Sequence, residues 1–504
     1  LVQTVLYRQV VGKRRLLLHR KAGESLESLF QGKTEGIAGK LAHHFHEGRV
    51  KDPAYRYARI AADSARRVYA HWEAEEFFKI ALENSPGEEE SADLEERLGD
   101  VYDAVGYYKQ GIASYEASLE KSRAGDVRSL RLRRKIVVLE RKAGLAPAPE
   151  LLGRVRTLLE EAADHPEERC HLLQETSSLP DAVGVVEAVQ EAVAIARTCD
   201  NPLLLVDAFE RLSFVLIFNA QPKDAFPYLE QALGIVEAIG DPGRSALYHF
   251  LTAMAHTRLG RYKDALREFH RMMELSERIG DPRKIGAAYT NLGCLYLRLR
   301  EFEQAEEMLQ RARSIHERRD RSNLVQSLLN LAELSRRSGN LELAIERYQL
   351  LLQHAQEFEY WTSEAVAHAG LGMCLLEAGR VDEARECAWR SISVIADRED
   401  WFEDREFVEI LFARLGVIEG SIEEATQRLT KAAQVLASFD AYSWSLVELE
   451  RVRVLRRIDP AGAHEVLTNV ITATADMQLA LDDEIRELEA SLPSLSSARP
   501  EQPA

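Results

Sequence analysis

A small residue recurs at an almost constant interval through the middle of this chain, and the interval limits the folds that the chain can adopt. Alanine stands at steps of 40, 40, 39, 40 and 41 residues, at Ala225, Ala265, Ala305, Ala344, Ala384 and Ala425. Four of these alanines are followed, four residues later, by a large side chain: Leu229, Phe269, Leu309 and Tyr348. Residues four apart lie on one face of a helix. The period therefore predicts a repeated helical unit in which small side chains allow close approach.

One unit, residues 289–312, shows how two helices would pack within it. In its first half Tyr289, Leu292, Gly293 and Tyr296 follow the spacing i, i+3, i+4 and i+7, which places them on a single stripe. Its second half has a small, large, small pattern that begins at Ala305. A notch facing a large side chain predicts a closely packed helical hairpin.

The connections between units repeat as well. The tetrapeptide Ile-Gly-Asp-Pro at 239–242 returns 40 residues later at 279–282. Glycine can end a helix, aspartate can cap the next helix, and proline fits the first helical turn. Each connection therefore predicts the end of one helix and the start of another.

These spacings resemble the tetratricopeptide repeat family, with tyrosine in place of its tryptophan and leucine in place of its phenylalanine. The resemblance implies an all-α solenoid, a superhelix of antiparallel helix hairpins, with extended repeats of about 40 residues instead of the usual 34. We assign residues 201–435 to the main array. Residues 51–145 carry earlier hairpins, in which Ala74 and Phe78 match the second-helix pattern.

The remaining segments depart from the repeat. Residues 146–200 predict an irregular helical joint, because prolines interrupt them and no clean repeat is present. Residues 436–490 predict capping helices with an acidic outer face, and the Ser- and Pro-rich tail 491–504 predicts disorder. Residues 130–143 are strongly basic but keep apolar residues at helical spacing, which predicts a solvated basic face.

Residues 1–50 begin inside what reads as an apolar helix, so we expect this chain to be part of a longer polypeptide. From Tyr7 through Arg14-Arg15-Leu16 and His19 to Leu41–Phe45, and on through 58–65, the sequence resembles a junction in bacterial signalling ATPases of the STAND type. In that family the junction joins the end of the ATPase core to tetratricopeptide repeats. The resemblance implies an upstream winged helix and nucleotide-binding domain, and contact between that region and this chain.

Composition restricts the partners. The net charge is −17, which does not favour coating nucleic acid or an anionic membrane. No apolar run approaches the ~20 residues of a membrane span, and no signal peptide is recognisable, so we expect a cytoplasmic protein. The five cysteines include no CxxC pair, which favours buried reduced thiols.

Motifs for catalysis and metal binding occur only as fragments, so we expect no enzyme activity, cofactor or metal in this chain. Gly32-Lys33-Thr34 lacks the earlier glycine of a phosphate loop, and three His-Glu pairs lack the final histidine of H-E-x-x-H. His43, His44 and His46 place two imidazoles at i and i+3 without a nearby cysteine or carboxylate at ligand spacing. The basic segment 1–21, which carries six Lys or Arg and no acidic residue, favours a solvated face or a domain contact over nucleic acid.

A polar stripe on the first helices predicts a ligand surface. It comprises Arg258, Asn291, Arg298, Asn330 and Arg337, and the asparagines precede the last two arginines by seven residues. In tetratricopeptide proteins the first helices line the concave groove, and the resemblance implies that such asparagines hold a peptide backbone. Arginines there would bind the carboxylates of an acidic segment. In the alternative, the arginines pair with repeat glutamates such as Glu301, Glu303 or Glu342.

The sequence therefore predicts a non-enzymatic scaffold that binds a protein or peptide, as the sensor or interaction arm of a bacterial signalling protein. Two alternatives stay open: a free-standing assembly scaffold, and the regulatory arm of an upstream kinase or cyclase. Binding of nucleic acid through the basic helices is a third and weaker alternative.

Overall fold

A computed structural model describes residues 12–67, 70–123, 125–179, 184–219, 221–317, 321–396, 404–437 and 440–492. These residues form 25 α-helices and one short 3-10 helix, and they include no β-strand. The chain divides into two compact units, residues 1–208 and 209–504. The all-α solenoid of helix hairpins predicted from the sequence is confirmed.

The described residues of the first unit form ten complete helices. They are α1 (Lys13–Leu29), α2 (Ala38–Glu47), α3 (Lys51–Arg67), α4 (His71–Glu83), α5 (Glu88–Ala104), α6 (Tyr108–Glu120), α7 (Val127–Lys142), α8 (Ala148–Glu161), α9 (Pro166–Thr176) and α10 (Val185–Ala196), with the 3-10 turn Glu35–Ile37 before α2. The next helix, α11 (Pro202–Phe218), contains the division between the units.

In the second unit, first and second helices of the hairpins alternate. The helices are α12 (Pro222–Ile239), α13 (Pro242–Arg258), α14 (Tyr262–Ile279), α15 (Pro282–Arg298), α16 (Phe302–His316), α17 (Arg321–Arg337), α18 (Leu341–Glu357), α19 (Trp361–Glu377), α20 (Val381–Val394), α21 (Arg405–Glu419), α22 (Ile422–Leu436), α23 (Ala441–Leu455), α24 (Pro460–Thr474) and α25 (Asp482–Ser491).

The repeated Ile-Gly-Asp-Pro connections form the caps that the sequence predicts. Gly240 ends α12 with φ 77°, a left-handed conformation that favours glycine. The Asp241 side chain accepts hydrogen bonds from the backbone N–H groups of Gly243 and Arg244, and Pro242 begins α13. Asp281 caps α15 in the same way. The connection thus sets both helix ends.

The repeat residues form the core between helices. The side chains predicted to pack are buried, except Tyr296, which is partly exposed; the buried ones are Ala74, Phe78, Ala265, Phe269, Leu292, Gly293, Ala305, Ala344 and Ala384. A Cβ on Gly293 would lie 2.6 Å from Cγ of Leu309, which is closer than real Cβ contacts. A Cβ on Gly99 would likewise lie too close to the Tyr115 ring. In each of these hairpins, the missing side chain of the glycine on the first helix leaves space in which the large residue of the second helix packs.

The basic helix α7 is not the solvated face that the sequence predicted. Arg131 donates to Glu96 at 2.8 and 3.0 Å, and Lys135 donates to Glu96 at 2.8 Å and to Asp100 at 2.7 Å. Arg134, on the same helix, pairs with a glutamate of α9. The partners lie 34 to 39 residues away, so local periodicity did not reveal them. Ion pairing with neighbouring helices neutralises much of the charge on α7.

The predicted apolar helix at residues 2–10 and almost all of the predicted disordered tail lie outside the described residues. Of the tail, only Ser491, at the end of α25, and Leu492, which is buried, are described. No helix in the described part of the chain is both long enough and apolar enough to cross a membrane.

Candidate ligand-binding groove

Three arginines of the predicted ligand surface end three successive first helices. Arg258 is the last residue of α13, Arg298 of α15 and Arg337 of α17, and we call these three residues the arginine stripe. The Arg298 and Arg337 guanidiniums both lie over the ring of Tyr442, at 4.9 and 5.6 Å. Arg258 lies 5.0 Å from the centre of the Phe218 ring. Each arginine therefore contacts an aromatic ring that local sequence did not assign to it.

Arg298 pairs with Asp440, the residue just before α23. Its Nη1 donates to Oδ1 of Asp440 at 3.1 Å, and the Asp440 side chain also accepts from the backbone N–H of Ser443. Burial by itself would raise the pKa of Asp440, but the Arg298 guanidinium and Ser443 outweigh burial and hold that pKa below its ordinary value. Asp440 is therefore ionised at neutral pH although it is buried.

The two predicted asparagines are less available than the sequence suggested. The Asn291 amide donates to the backbone oxygen of Ala287 at 2.8 Å, one turn back on the same helix. Asn330 is buried, with 8% of its surface exposed. The five residues thus share the predicted positions along the first helices. Among them, Arg298 and Arg337 contact the same ring, that of Tyr442.

The sequence-based alternative, pairing with repeat glutamates, does not describe Arg298, whose partner is Asp440. Arg337 donates to the backbone oxygen of Leu297 at 3.3 Å. Among the described residues no carboxylate lies within 4.0 Å of the Arg337 guanidinium. Arg298 therefore has a carboxylate counter-charge, whereas Arg337 has none among the described residues.

The C-terminal helices contact the first repeats of the second unit. Gln478 donates its backbone N–H to the Gly260 oxygen at 2.9 Å, and its side-chain oxygen accepts from the Lys263 N–H at 2.7 Å. Arg300 pairs with Glu484 of α25 at 3.0 Å. The acidic face of α25, which we expected to meet only water, thus supplies an ion pair to the array.

Apolar packing accompanies these polar contacts. Tyr442 and Leu449 of α23 belong to one buried cluster with Tyr262, Leu292 and Leu295. Burial of such side chains contributes about 1.5–3 kcal/mol each, which exceeds the contribution of an exposed ion pair. The C-terminal helices are therefore part of the core of this unit.

The first helices α17, α19, α21 and α23 surround a charged cavity of about 280 Å³. Glu484 of α25 and Arg300, just after α15, complete its lining. A second cavity of about 420 Å³ is lined by Arg258, Asp440 and Met477, among others. Sequence reasoning missed both cavities, because their walls combine residues separated by more than a hundred positions.

The histidines near the start of the chain contact one another and neighbouring side chains. Nδ1 of His19 lies 3.0 Å from Nδ1 of His44, and the His43 ring is close to both. His46 contacts the Asn84 side chain instead. Among the described residues, no group of three or more His, Cys, Asp or Glu has the geometry to hold a metal. The imidazoles therefore pair with each other and with neighbouring helices.

Three of the cysteines are buried in the helical core. Burial raises the thiol pKa of Cys170 and Cys387 to about 11 and that of Cys374 to about 12. Thiols with such pKa values stay protonated at neutral pH and are poor nucleophiles.

Comparisons with known proteins agree with the repeat geometry. Residues 282–487 match the family described as MalT-like TPR region, and residues 244–318 match the tetratricopeptide repeat family. Together the two matches to tetratricopeptide-repeat arrays cover residues 244–487. Such arrays are protein-interaction scaffolds that present extended surfaces. The match to the MalT-like TPR region includes α23 and α24 and ends within α25.

Among curated proteins, the chain is 26% identical over 183 residues to response regulator aspartate phosphatase J of Bacillus subtilis. The match covers 35% of this chain and 48% of that protein, so this chain spans about half the length of the relative.

Solved structures that are similar in part to this chain include a STAND protein and a Rap protein. A STAND protein with a tetratricopeptide repeat sensor from Pyrococcus horikoshii matches 83% of this chain and 71% of its own, at 15% identity and a TM-score of 0.49. A Rap protein complexed with competence and sporulation factor matches 79% of this chain and 99% of its own, at 14% identity and a TM-score of 0.48.

Proposed function

We propose that this chain is the sensor or interaction arm of a multidomain signalling protein, and that its tetratricopeptide repeats bind a protein or peptide ligand. The observation that supports this proposal most strongly is the match of residues 282–487 to the MalT-like TPR region. The arm itself carries no catalysis in this proposal, and any ATPase, kinase or cyclase activity belongs to another domain. Ligand binding would change that activity only through different affinities for two states.

The ligand that we propose is acidic and carries an aromatic side chain. Within this chain the arginine stripe already binds that combination, because Arg298 pairs with Asp440 while Arg298 and Arg337 both contact the Tyr442 ring. Arg258 borders the 420 Å³ cavity beside this contact. A carboxylate entering that cavity would gain charge-assisted hydrogen bonds from arginine.

The test measures the fluorescence anisotropy of a labelled acidic peptide that carries an Asp-x-Tyr sequence, titrated with the chain. Arg258→Gln together with Arg337→Gln should weaken binding by about tenfold or more, because each arginine supplies a charge-assisted contact. Arg298 is left intact, because its removal would leave Asp440 buried without a counter-charge.

A matched control removes two charges elsewhere. Arg385 and Arg390 of α20 pair only with neighbouring carboxylates at the surface, so Arg385→Gln with Arg390→Gln changes the net charge equally. The control variant should bind the peptide as the unmodified chain does. Equal loss in both variants would show that only net charge matters, and an unchanged affinity of the first variant would remove the acidic-ligand assignment.

We propose that α1 contacts a further domain of the same protein. Leu17 and Leu18 are 52% and 49% exposed beside the exposed basic residues Arg14 and Lys21, a surface that suits such a contact. The test is the intact mass of the native polypeptide, compared with 56.9 kDa for this chain, followed by nucleotide hydrolysis with and without the array. A native mass near 57 kDa would instead favour a free-standing scaffold.

A further inference from the structure

The charged cavity has an unusual lining. Five arginines and five glutamates border its volume of about 280 Å³, together with apolar side chains that include Met373, Phe407 and Ile410. Ionised groups beside apolar walls are costly unless each has a partner. The pairing of these ten charges therefore indicates what the cavity can bind.

Along one wall of the cavity, two of the arginines form ion pairs with three of the glutamates. Arg336 pairs with Glu333 at 2.7 Å and with Glu377 at 2.8 Å. Arg414 pairs with Glu377 at 3.2 Å and with Glu450 at 3.0 Å. These five side chains form a continuous network in which three carboxylates share two guanidiniums, and the remaining negative charge is balanced by Arg453.

Two further pairs account for most of the remainder. Arg453 pairs with Glu450 at 3.1 Å, and Arg300 pairs with Glu484 at 3.0 Å. Among the described residues, the cavity charges without an ion pair are then one acid, Glu406, and one base, Arg337.

Glu406 is held at the cavity by the start of α23. Its Oε1 accepts a hydrogen bond from Oγ of Ser443 at 2.8 Å, while its buried Oε2 has no hydrogen-bond partner among the described residues. The side chain is 94% buried, since only 6% of Glu406 is exposed. Burial, and then the nearby Asp404 carboxylate, raise the pKa of Glu406 to about 8, with a smaller contribution from Asp440. A buried acceptor without a partner is the feature that a ligand donor would satisfy.

Arg337 contacts Tyr442, the residue before the Ser443 that holds Glu406. Its guanidinium lies over the Tyr442 ring, next in sequence to Ser443, and one N–H group donates to a backbone oxygen. A guanidinium has five N–H donors in a planar fork, so most of them are available for a carboxylate.

We propose that the charged cavity binds an amino-acid-sized zwitterion, whose ammonium group pairs with Glu406 and whose carboxylate pairs with Arg337. The site shares Arg337 with the arginine stripe but adds Glu406 inside the charged cavity, and the inference does not rest on the function proposed above. A cavity at the small end of ligand pockets suits one amino acid better than an extended peptide. The unpaired Glu406 carboxyl, which an ammonium group would favour in its ionised form, and the unpaired Arg337 guanidinium together select a ligand that carries both charges.

The test is isothermal titration calorimetry of the full chain with zwitterions in which the two charges are separated by different distances. The probes are the α-amino acids, β-alanine, 4-aminobutyrate and 5-aminovalerate, each at up to about 10 mM. For the zwitterion that binds, the N-acetyl derivative and the carboxamide should each bind about tenfold or more weakly, since each lacks one charge.

Variants assign the two contacts. Glu406→Gln and Arg337→Gln should each weaken binding of the zwitterion by about tenfold or more. Glu423→Gln and Arg390→Gln, at exposed positions on α22 and α20, should leave it unchanged. Glu406→Gln should also leave binding of the acidic peptide unchanged, which separates this site from the arginine stripe.

The pH dependence distinguishes a direct contact from a loss of structure. Because an ammonium ligand favours the ionised Glu406 carboxylate, affinity should rise by up to about tenfold per pH unit between pH 6 and 8. The affinity that remains in Glu406→Gln should not change over that range. The proposal fails if no zwitterion binds saturably, if the N-acetyl derivative binds equally well, or if Glu406→Gln keeps the pH dependence.

Discussion

Arg298 and Asp440 are 142 positions apart in the sequence, yet their side chains form a hydrogen-bonded ion pair of 3.1 Å. Asp440 is buried, and about one-fifth of the Arg298 side chain is exposed. The pair joins the end of α15 to the start of α23, and Tyr442 packs beside it. A contact of this kind ties the last helices of the array to its first repeats.

Loss of either partner of this pair should destabilise the second unit. Asp440→Asn keeps the size of the side chain but leaves Arg298 without its counter-charge, which should lower the free energy of unfolding by about 3–5 kcal/mol. The double variant with Arg298→Met should recover part of the loss. Chemical denaturation of the two single variants and the double variant measures the coupling; strictly additive effects would contradict it.

Gly293 should tolerate no side chain. A Cβ there would lie 2.6 Å from Leu309, so Gly293→Ala should destabilise the chain by about 1–3 kcal/mol through overpacking. Gly234, on the exposed side of α12, has nothing within 4 Å of the corresponding position. Gly234→Ala should therefore stabilise by about 0.5–1 kcal/mol, because alanine is the better helix former. Thermal melts of both variants check the opposite signs.

Glu406 should make the fold less stable as the pH rises. Its pKa is raised to about 8 in the folded chain, against an ordinary value of 4.5, so the folded chain holds a proton that the unfolded chain releases. The stability lost between these pH values approaches about 1.4 kcal/mol per pH unit. Glu406→Gln cannot ionise and should gain stability over the unmodified chain from pH 4.5 towards 8, as measured by denaturation at several pH values. A difference that stays constant with pH would contradict this assignment.

Glu96 should show the reverse pH dependence. Burial opposes its ionisation, but Arg131 and Lys135 outweigh burial and lower its pKa to about 2. The stabilisation is present above pH 4.5 and is lost as the pH falls towards 2, and it amounts to about 3 kcal/mol. Glu96→Gln should therefore destabilise at pH 7 and much less at pH 3. Glu116→Gln, at an exposed position on α6, is the control and should change little. Denaturation of both variants at the two pH values makes the measurement.

The parts of the fold that could be predicted are those encoded within one repeat. The notch at Gly293 and the capping role of Asp241 each depend on neighbours within about twenty residues, and both have the expected geometry. Helical periodicity and capping act over such distances. The short connections between helices made the hairpins equally predictable.

The candidate site could be predicted only in part, because its partners come from distant segments. The sequence placed Arg258, Arg298 and Arg337 on one stripe, but it gave no signal that Asp440 and Tyr442 would reach them. Asp440 caps α23 through Ser443, but its second role, as the counter-charge of Arg298, depends on a residue 142 positions away. The charges of α7 were misjudged for the same reason, since a basic helix face alone does not reveal acidic neighbours such as Glu96.

The hydrogen bonds between Gln478 and the turn at Gly260 have a consequence for how this protein can evolve. Repeat arrays commonly gain or lose units by duplication and deletion, since each unit touches only its neighbours. Here an inserted or deleted hairpin between residues 261 and 477 would carry the Gln478 side chain away from its partners. Duplication is therefore penalised inside this span, and we expect homologous chains that keep the contact to vary in loop length instead of repeat number.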